Sequence, residues 1–345
     1  MKHVKIWLPV AVFLTCLLAL GLLVHGDASM TGHLTAQNAA KRWQTTEKPC
    51  AMASVFLSPG QAIPDAKLGE VYVGLDKALT TAGAGDQRWY LAASGRQDAV
   101  LRSGDRSVKT ELFAVRGDFF QAHSMTLRAG AYPQDGDVMH DRIVLDRETA
   151  WVLFYGDNVA GQYVELNGVT LQVAGVVDRE PGRDNALVRE NTCWVLWDCP
   201  ALEAPPGYTC LEAVLPQPVS GFAAGALTTA LGSMLPEGAT VTDNDRRFSL
   251  KNRIYVLRHL AQRSVGDGEL GYPYWENAAR ITENRLALRL IPEAILAALL
   301  LLLLAIQLLW WNHRRTWGLR SLRRLFEDAV ERKRRRDWDR THGGT

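Results

Sequence analysis

Two uninterrupted apolar runs, one near each end of the chain, set the terms for everything between them. Ile6 to Val24 is nineteen residues without a charge. Ala294 to Trp311 is eighteen more, broken only by Gln307 and preceded by Leu290 and Ile291. A hydrocarbon core of about 30 Å is crossed by roughly 20 apolar residues at helical rise, so each run predicts a membrane span. The first run has a basic start in Lys2 and Lys5. It is longer than the about 7–15 residues of a signal-peptide core, so an uncleaved anchor over 1–25 is the expectation. A cleaved signal peptide is the alternative, because Gly26-Asp27-Ala28-Ser29 supplies small residues after the run. A lipoprotein reading of Leu14-Thr15-Cys16 fits less well, since Thr precedes the Cys and the Cys lies mid-run.

Charge orients the two runs. The net charge of +2 hides a body of net −5 over 26–289 and a tail of net +6 over 312–345. Trp310 and Trp311 end the second run and Arg314-Arg315 follow, which is the pattern of an inner membrane boundary. Positive residues stay cytoplasmic, so both termini are expected inside the cell membrane. The predicted order is an N-terminal transmembrane helix over 1–25 and an extracytoplasmic domain over 26–289. A second transmembrane helix over 290–311 and a basic, helical cytoplasmic tail over 312–345 follow. With 47% hydrophobic and 22% charged residues, the chain is neither disordered, collagenous nor a disulfide miniprotein. A mean hydropathy of −0.09 argues against a protein with many spans.

The outer region mixes both periodicities. Leu68, Val71, Leu75 and Leu79 share one face of a helix starting at Pro64-Asp65. Strand-like runs occur at 51–57, 88–93, 99–102, 108–115 and 142–145, with a helix at 147–155. Tyr163 to Leu166 and Val169 to Val173 flank Asn167-Gly168, the signature of a hairpin with a type I′ turn. Cys193 to Trp197 and Thr209 to Leu215 read as two further strands, turned between by Pro205-Pro206-Gly207. Helices are expected at 221–235, at 247–261 and from about Tyr274 into the second span. Without strict βαβ alternation, the class is α+β.

Cys50, Cys193, Cys199 and Cys210 fall in the outer region, where disulfides are permitted. Four cysteines allow three pairings. If the strands around 195 and 212 form one hairpin, Cys199 and Cys210 flank its loop, and that pair is the expected disulfide.

One ordered set of segments resembles a known family. It comprises Gly117-Asp118-Phe119-Phe120, Leu127-Arg128-Ala129-Gly130, Arg142 to Leu145, and Ala150 to Gly156. It continues through Ala160-Gly161-Gln162, Asn167-Gly168 and Leu171 to Val177. Over about sixty residues this resembles the MacB-like periplasmic core domain of ABC-transporter permeases, the group that also contains FtsX-like permeases. Asp243-Asn244-Asp245-Arg246-Arg247-Phe248 is similar more loosely. Gly130, Gly161, Asn167, Gly168 and Gly175 are turn residues in this reading, not ligand contacts. Members of the family have three spans after the outer domain, so this sequence resembles a reduced form with two spans instead of four. The segment Gly318-Leu319-Arg320 is similar to the cytoplasmic stretch where the family's permeases meet their ATPase.

Enzymatic chemistry finds no foothold. His33, His123, His140 and His259 lack metal-ligand spacing, and no Gly-x-Ser-x-Gly elbow or phosphate-binding loop occurs. No catalytic residue, cofactor or metal is expected. Any ATP hydrolysis belongs to a separate chain. In the tail, Leu322, Leu325, Phe326, Ala329 and Val330 repeat at helical spacing, with Arg323, Arg324, Arg332 and Lys333 mostly elsewhere. Such a helix lies on anionic membrane lipid or docks on an ATPase. Gly318, Leu319, Arg320, Leu322, Leu325 and Phe326 are the candidate partner contacts. Membrane anchoring accounts for the basic run, so no nucleic acid is expected. Gln307 either faces another helix or reaches the headgroups.

The resemblance implies a non-catalytic permease-like subunit of an ABC-type transporter complex. It would couple ATP hydrolysis by a separate ATPase chain to the outer domain, alongside further permease chains. A membrane-anchored binding or adaptor module without an ATPase is the alternative function.

Overall fold

The computed structural model describes residues 4–45, 48–123, 125–179, 191–203, 207–237, 239, 241–263 and 272–342. The chain runs α1 (Val4–Gly32), α2 (Ala39–Trp43), β1 (Cys50–Phe56), α3 (Leu68–Thr81), β2 (Tyr90–Ser103), β3 (Arg106–Gly117) and α4 (Phe119–Ala122). It continues with β4 (Thr126–Gly130), β5 (Arg142–Asp146), α5 (Arg147–Phe154), β6 (Tyr163–Leu166), β7 (Val169–Asp178) and β8 (Thr192–Leu196). It ends with β9 (Cys210–Pro216), α6 (Phe222–Leu231), β10 (Val241–Asp243), α7 (Leu250–Arg258) and α8 (Tyr274–His342). Two units emerge: Met1–Gly26 with Arg289–Thr345, and Asp27–Leu288.

The first unit holds the apolar lengths of α1 and α8. Each of these helices contains a stretch long and apolar enough to cross a membrane, Pro9–Gly32 and Tyr274–His313. They touch where Arg289 Nη2 donates to the Leu23 carbonyl at 2.7 Å. A side chain at Gly26 would collide with that guanidinium. Gln307 lines a cavity of about 150 Å³ with Pro9, Val10, Phe13, Leu303 and Leu304.

The second unit is built on one ten-stranded sheet in the order β10-β1-β9-β2-β3-β8-β5-β7-β4, with β6 pairing both β2 and β7. β2 explains the shape of this sheet. Its first half, Tyr90–Ser94, pairs with β9, and its far half pairs with β6 at Leu101↔Leu166. The strands β2, β3, β8, β5, β7 and β6 therefore close into a ring, and β9, β1 and β10 extend from it as an open wing. Closure removes the edges that an open sheet exposes. Two edges remain, β10 and β4, and β4 is short, bulged between Leu127 and Ala129, and carries Arg128.

Period-two alternation buries both faces of the wing and of the adjoining ring strands. Ala51, Ala53, Val55, Leu91, Ala93, Leu112, Ile143 and Leu145 point to one core. Val71, Leu75 and Leu79 of α3, Leu227 and Leu231 of α6, and Ala150 and Leu153 of α5 cover it. Phe56, Phe113, Val115, Val144, Trp194 and Leu196 point to the other, which Phe119, Phe120, Tyr274 and Trp275 cover. At the hairpin, Asn167 and Gly168 adopt φ of 52° and 78°, the left-handed pair that a type I′ turn demands. At Gly130 φ is 76°, and a Cβ there would overlap the Ala174 carbonyl.

Three sequence expectations are corrected. The runs at 88–93 and 99–102 are one strand, because β3 pairs with β2 from Ala92↔Gly117 to Ser103↔Arg106 without a break. The helix expected at 247–261 starts only at Leu250, where Ser249 caps it by accepting from the Asn252 N–H. The strands around 195 and 212 do not form a hairpin. β8 lies between β3 and β5, and β9 between β1 and β2. The premise for a Cys199–Cys210 disulfide falls with it. Cys199 packs into the first core and Cys210 into the second, and both are free thiols. Burial pushes both thiols above their ordinary range. Pro205 and Pro206 lie outside the described residues.

Candidate functional site

The second unit contains a chain of buried polar groups that runs from the sheet to the first turns of α8. Its centre is Arg247, in the turn between β10 and α7. Arg247 Nη1 and Nη2 donate to the two oxygens of Glu276 at 2.6 Å each. Its Nε donates to Glu283 Oε1 at 3.0 Å. All three side chains are within a few per cent of complete burial. Glu276 and Glu283 stand two helical turns apart on α8, so one planar guanidinium spans both. Burial alone would lower the Arg247 pKa, but the carboxylates of Glu276 and Glu283 outweigh it and raise the group further. Arg263 also pairs with Glu283, and Arg280 lies 3.9 Å from Glu276.

From Arg247 the chain turns into the sheet. Nη1 also donates to Asn244 Oδ1 at 3.3 Å, and Asn244 Nδ2 donates to Ser54 Oγ on β1 at 2.8 Å. Ser54 donates to Glu212 Oε1 on β9 at 3.1 Å. The other Glu212 oxygen meets His123 Nε2 at 2.5 Å, just past α4. A carboxylate only accepts, so Nε2 carries the hydrogen. The His123 ring stacks on Phe119 at 4.3 Å and meets Trp275 of α8 edge-on at 4.6 Å. Gln37 closes the arrangement by donating to the Trp275 carbonyl at 2.9 Å.

A second tie lies on α7. Arg253 reaches Asp27 of α1 at 3.0 Å and donates to the Leu286 carbonyl of α8 at 2.8 and 3.1 Å. One arginine thus joins α7 to both α1 and α8.

Such an arrangement fixes the relative position of the elements it joins. Buried ion pairs add little net stability over apolar packing, but removing one partner leaves a bare buried charge. The penalty for misalignment is large, so the first turns of α8 have one seat on the sheet. Among the described residues no group of three His, Cys, Asp or Glu side chains has metal-holding geometry. The tail residues are not brought to this site. Gly318, Leu319, Arg320, Leu322 and Leu325 lie within helical α8, but their side chains are outside those described. Phe326 is 74% exposed.

Sequence reasoning singled out Asn244 and Arg247 only within a loosely similar segment, and missed Glu276 and Glu283. Glu276, Arg280 and Glu283 sit at i, i+4 and i+7. That spacing reads as the solvated face of a helix, and the signal that contradicts it is Tyr274-Trp275 immediately before.

Part of the chain is similar to a known domain family. Residues 44–198 match the family model of the MacB-like periplasmic core domain. No curated protein matches the chain by sequence. Among solved structures, the periplasmic region of MacB from Actinobacillus actinomycetemcomitans is 15% identical, with a TM-score of 0.43. That match covers 62% of this chain and 94% of the other. The extracellular domain of the noncanonic ABC-type transporter YknZ from Gram-positive bacteria is also 15% identical, with a TM-score of 0.37. It covers 55% of this chain and 99% of that one. Two apolar helices flank the matched region in sequence. Residues 44–198 of this chain are thus similar to the MacB-like periplasmic core domain.

Proposed function

We propose that this chain is a non-catalytic, permease-like subunit of an ABC-type transporter complex. Residues 1–25 and 290–311 span the membrane, 26–289 form the extracytoplasmic domain, and 312–345 form a cytoplasmic tail. ATP hydrolysis by a separate chain moves the helices, and the outer domain carries that movement to a substrate or partner beyond the membrane. The observation that supports this reading is the seating of the first turns of α8 on the sheet through Arg247, Glu276 and Glu283. A helix fixed in this way transmits displacement instead of absorbing it. Transport would then need no catalytic group in this chain, only a stiff connection.

Affinity recovery of the full chain from its native membrane tests the reading. An ABC ATPase should be recovered with the intact chain and lost when residues 316–345 are deleted. Arg314 and Arg315 remain in that deletion, so insertion is preserved. Recovery of the same ATPase with the tail deleted would reject the tail as the contact. Absence of any ATPase from both preparations would favour the membrane-anchored adaptor.

A further inference from the structure

Three strand ends meet at one buried ion pair in the strand ring. Asp146 ends β5 and caps α5, Arg179 follows β7, and Thr192 opens β8. The Asp146 side chain is fully buried, and that of Arg179 is 8% exposed. Arg179 Nε lies 3.4 Å from Asp146 Oδ2, and its Nη1 donates to Thr192 Oγ1 at 3.3 Å. The guanidinium also lies over the Tyr274 ring, 5.4 Å from the centroid, within reach of a cation–π contact. Tyr274 is the first residue of α8, so Arg179 ties β5 and β8 to the start of that helix. All of these residues belong to the Asp27–Leu288 unit.

The surroundings of Asp146 suit two protonation states. As a carboxylate it accepts from Thr149 N–H and Thr192 N–H and faces one cation. As an acid it needs an acceptor for its O–H. The Thr149 hydroxyl adjoins this carboxyl and is buried with no other partner among the described residues. A hydroxyl donates or accepts, so it serves either state. The other ionisable groups nearby are accounted for. Burial pushes the Cys193 thiol up, so it stays neutral, and Glu111 beyond it pairs with Arg96 at 2.9 Å. The Tyr274 hydroxyl donates to Met125 Sδ. Glu148 of α5 is 62% exposed and stands 4.0 Å from Arg179, a second carboxylate on the water side. Burial raises the Asp146 pKa to about 6, and the Arg179 charge is the strongest influence against it. Linkage is reciprocal: a cation that resists the proton is held less firmly once the proton is bound.

We propose that Asp146 and Arg179 form a proton-operated latch at one end of the strand ring. The carboxylate holds Arg179 against Thr192 and Tyr274, and protonation releases it towards Glu148. The latch depends neither on the membrane reading of the apolar helices nor on an ATPase. Its sign is opposite to that of global unfolding. When Arg179 leaves, Asp146 stays buried and binds its proton more tightly still, so acid favours the released form.

Amide hydrogen exchange of the full chain in detergent, read by mass spectrometry at pH 7 and pH 5, tests this. Protection is expressed against the chemical exchange rate at each pH. The strand Thr192–Leu196 reports the latch, since Thr192 N–H donates to Asp146. The segment Leu211–Leu215 of β9 is the internal reference. From pH 7 to pH 5, protection of Thr192–Leu196 should fall several-fold relative to β9. Asp146→Asn imitates the protonated state and should show the low protection at both pH values. A wild-type chain without the fall overturns the proposal, and so does an Asp146→Asn chain that retains it. A second measurement decides the matter even where Asp146→Asn does not fold. In Arg179→Gln, the pH midpoint of the stability step that belongs to Asp146 should move upward, because the cation that opposed the proton is gone. A midpoint equal to that of the wild type overturns the coupling of the two groups.

Discussion

The strand ring and the ionic junction sit in the same unit and are held by opposite means. In the ring, Leu101, Leu112, Ile143, Leu166, Leu171 and Val173 are buried among other apolar groups. At the junction, Arg247, Asn244, Glu276, Glu283 and Glu212 are as deeply buried, and polar pairs connect them. The ring gains stability from each side chain nearly independently, so it tolerates change in proportion to lost volume. The junction gains little from any one pair but loses heavily when one is broken. The ring fixes that the domain folds, and the junction fixes where the start of α8 sits.

The largest effect should come from breaking the junction on one side. Arg247→Leu leaves Glu276 buried without its bidentate partner and should cost about 3–5 kcal/mol, read from denaturant unfolding of the full chain in detergent. Arg247→Leu with Glu276→Leu should cost less than Arg247→Leu alone, because Arg263 still pairs with Glu283. If the double variant is the worse of the two, the junction is not governed by unpaired charge.

The matching test of the ring is Leu112→Ala. A cavity on the buried face of a closed ring should cost about 2–5 kcal/mol. Leu112 is fully buried, and β2 and β8 flank its strand, which leaves little room to collapse. The size of the loss should follow deleted volume, so Leu112→Val should cost less. A loss that ignores volume would erase the contrast with the junction.

A buried charge within the ring tests the same distinction by pH. Asp146 caps α5 by accepting from Thr149 N–H at 2.8 Å, and its other oxygen accepts from Thr192 N–H at 3.0 Å. Burial raises its pKa to about 6, despite Arg179 at 3.4 Å. Between about pH 4 and pH 6 the folded chain keeps a proton that the unfolded chain has lost. This contribution to stability therefore falls as pH rises through that window and is flat above it. At about 1.4 kcal/mol per pKa unit, the fall is on the order of 2–3 kcal/mol. Unfolding of Asp146→Asn should lack that step, and an identical pH profile in the variant would refute the assignment.

The smallest effect should lie on the surface. Lys67 and Glu70 pair at 2.5 Å, but both are about half exposed. Lys67→Ala should change stability by less than about 1 kcal/mol. A larger loss in the same unfolding assay would mean that exposed pairs matter here as much as the buried junction.

Several elements were legible because their signal is local. Asn167-Gly168 specified its turn through the backbone angles it alone tolerates cheaply, and the two apolar runs specified long helices by length. The segments from Gly117 to Val177 could be read together because, as an ordered set, they resemble one known family. The Cys193–Trp197 and Thr209–Leu215 strands show the limit. Both are continuous apolar runs, and such runs do not say which neighbour they pair with, so β8 went to β3 and β5, and β9 to β1 and β2.

By itself the sequence determined the apolar helices, the mixed α+β class, the helix faces and the hairpin, since each depends on spacing over a few residues. Only the tertiary structure decided that β2 reaches β6 and closes the ring, because Leu101 and Leu166 are 65 positions apart. Only it decided that Glu276 and Glu283 are buried partners of Arg247 instead of a solvated helix face. Charge spacing along a helix is the same whether the partner is water or a guanidinium. Which of the two it meets depends on where a distant turn places one side chain.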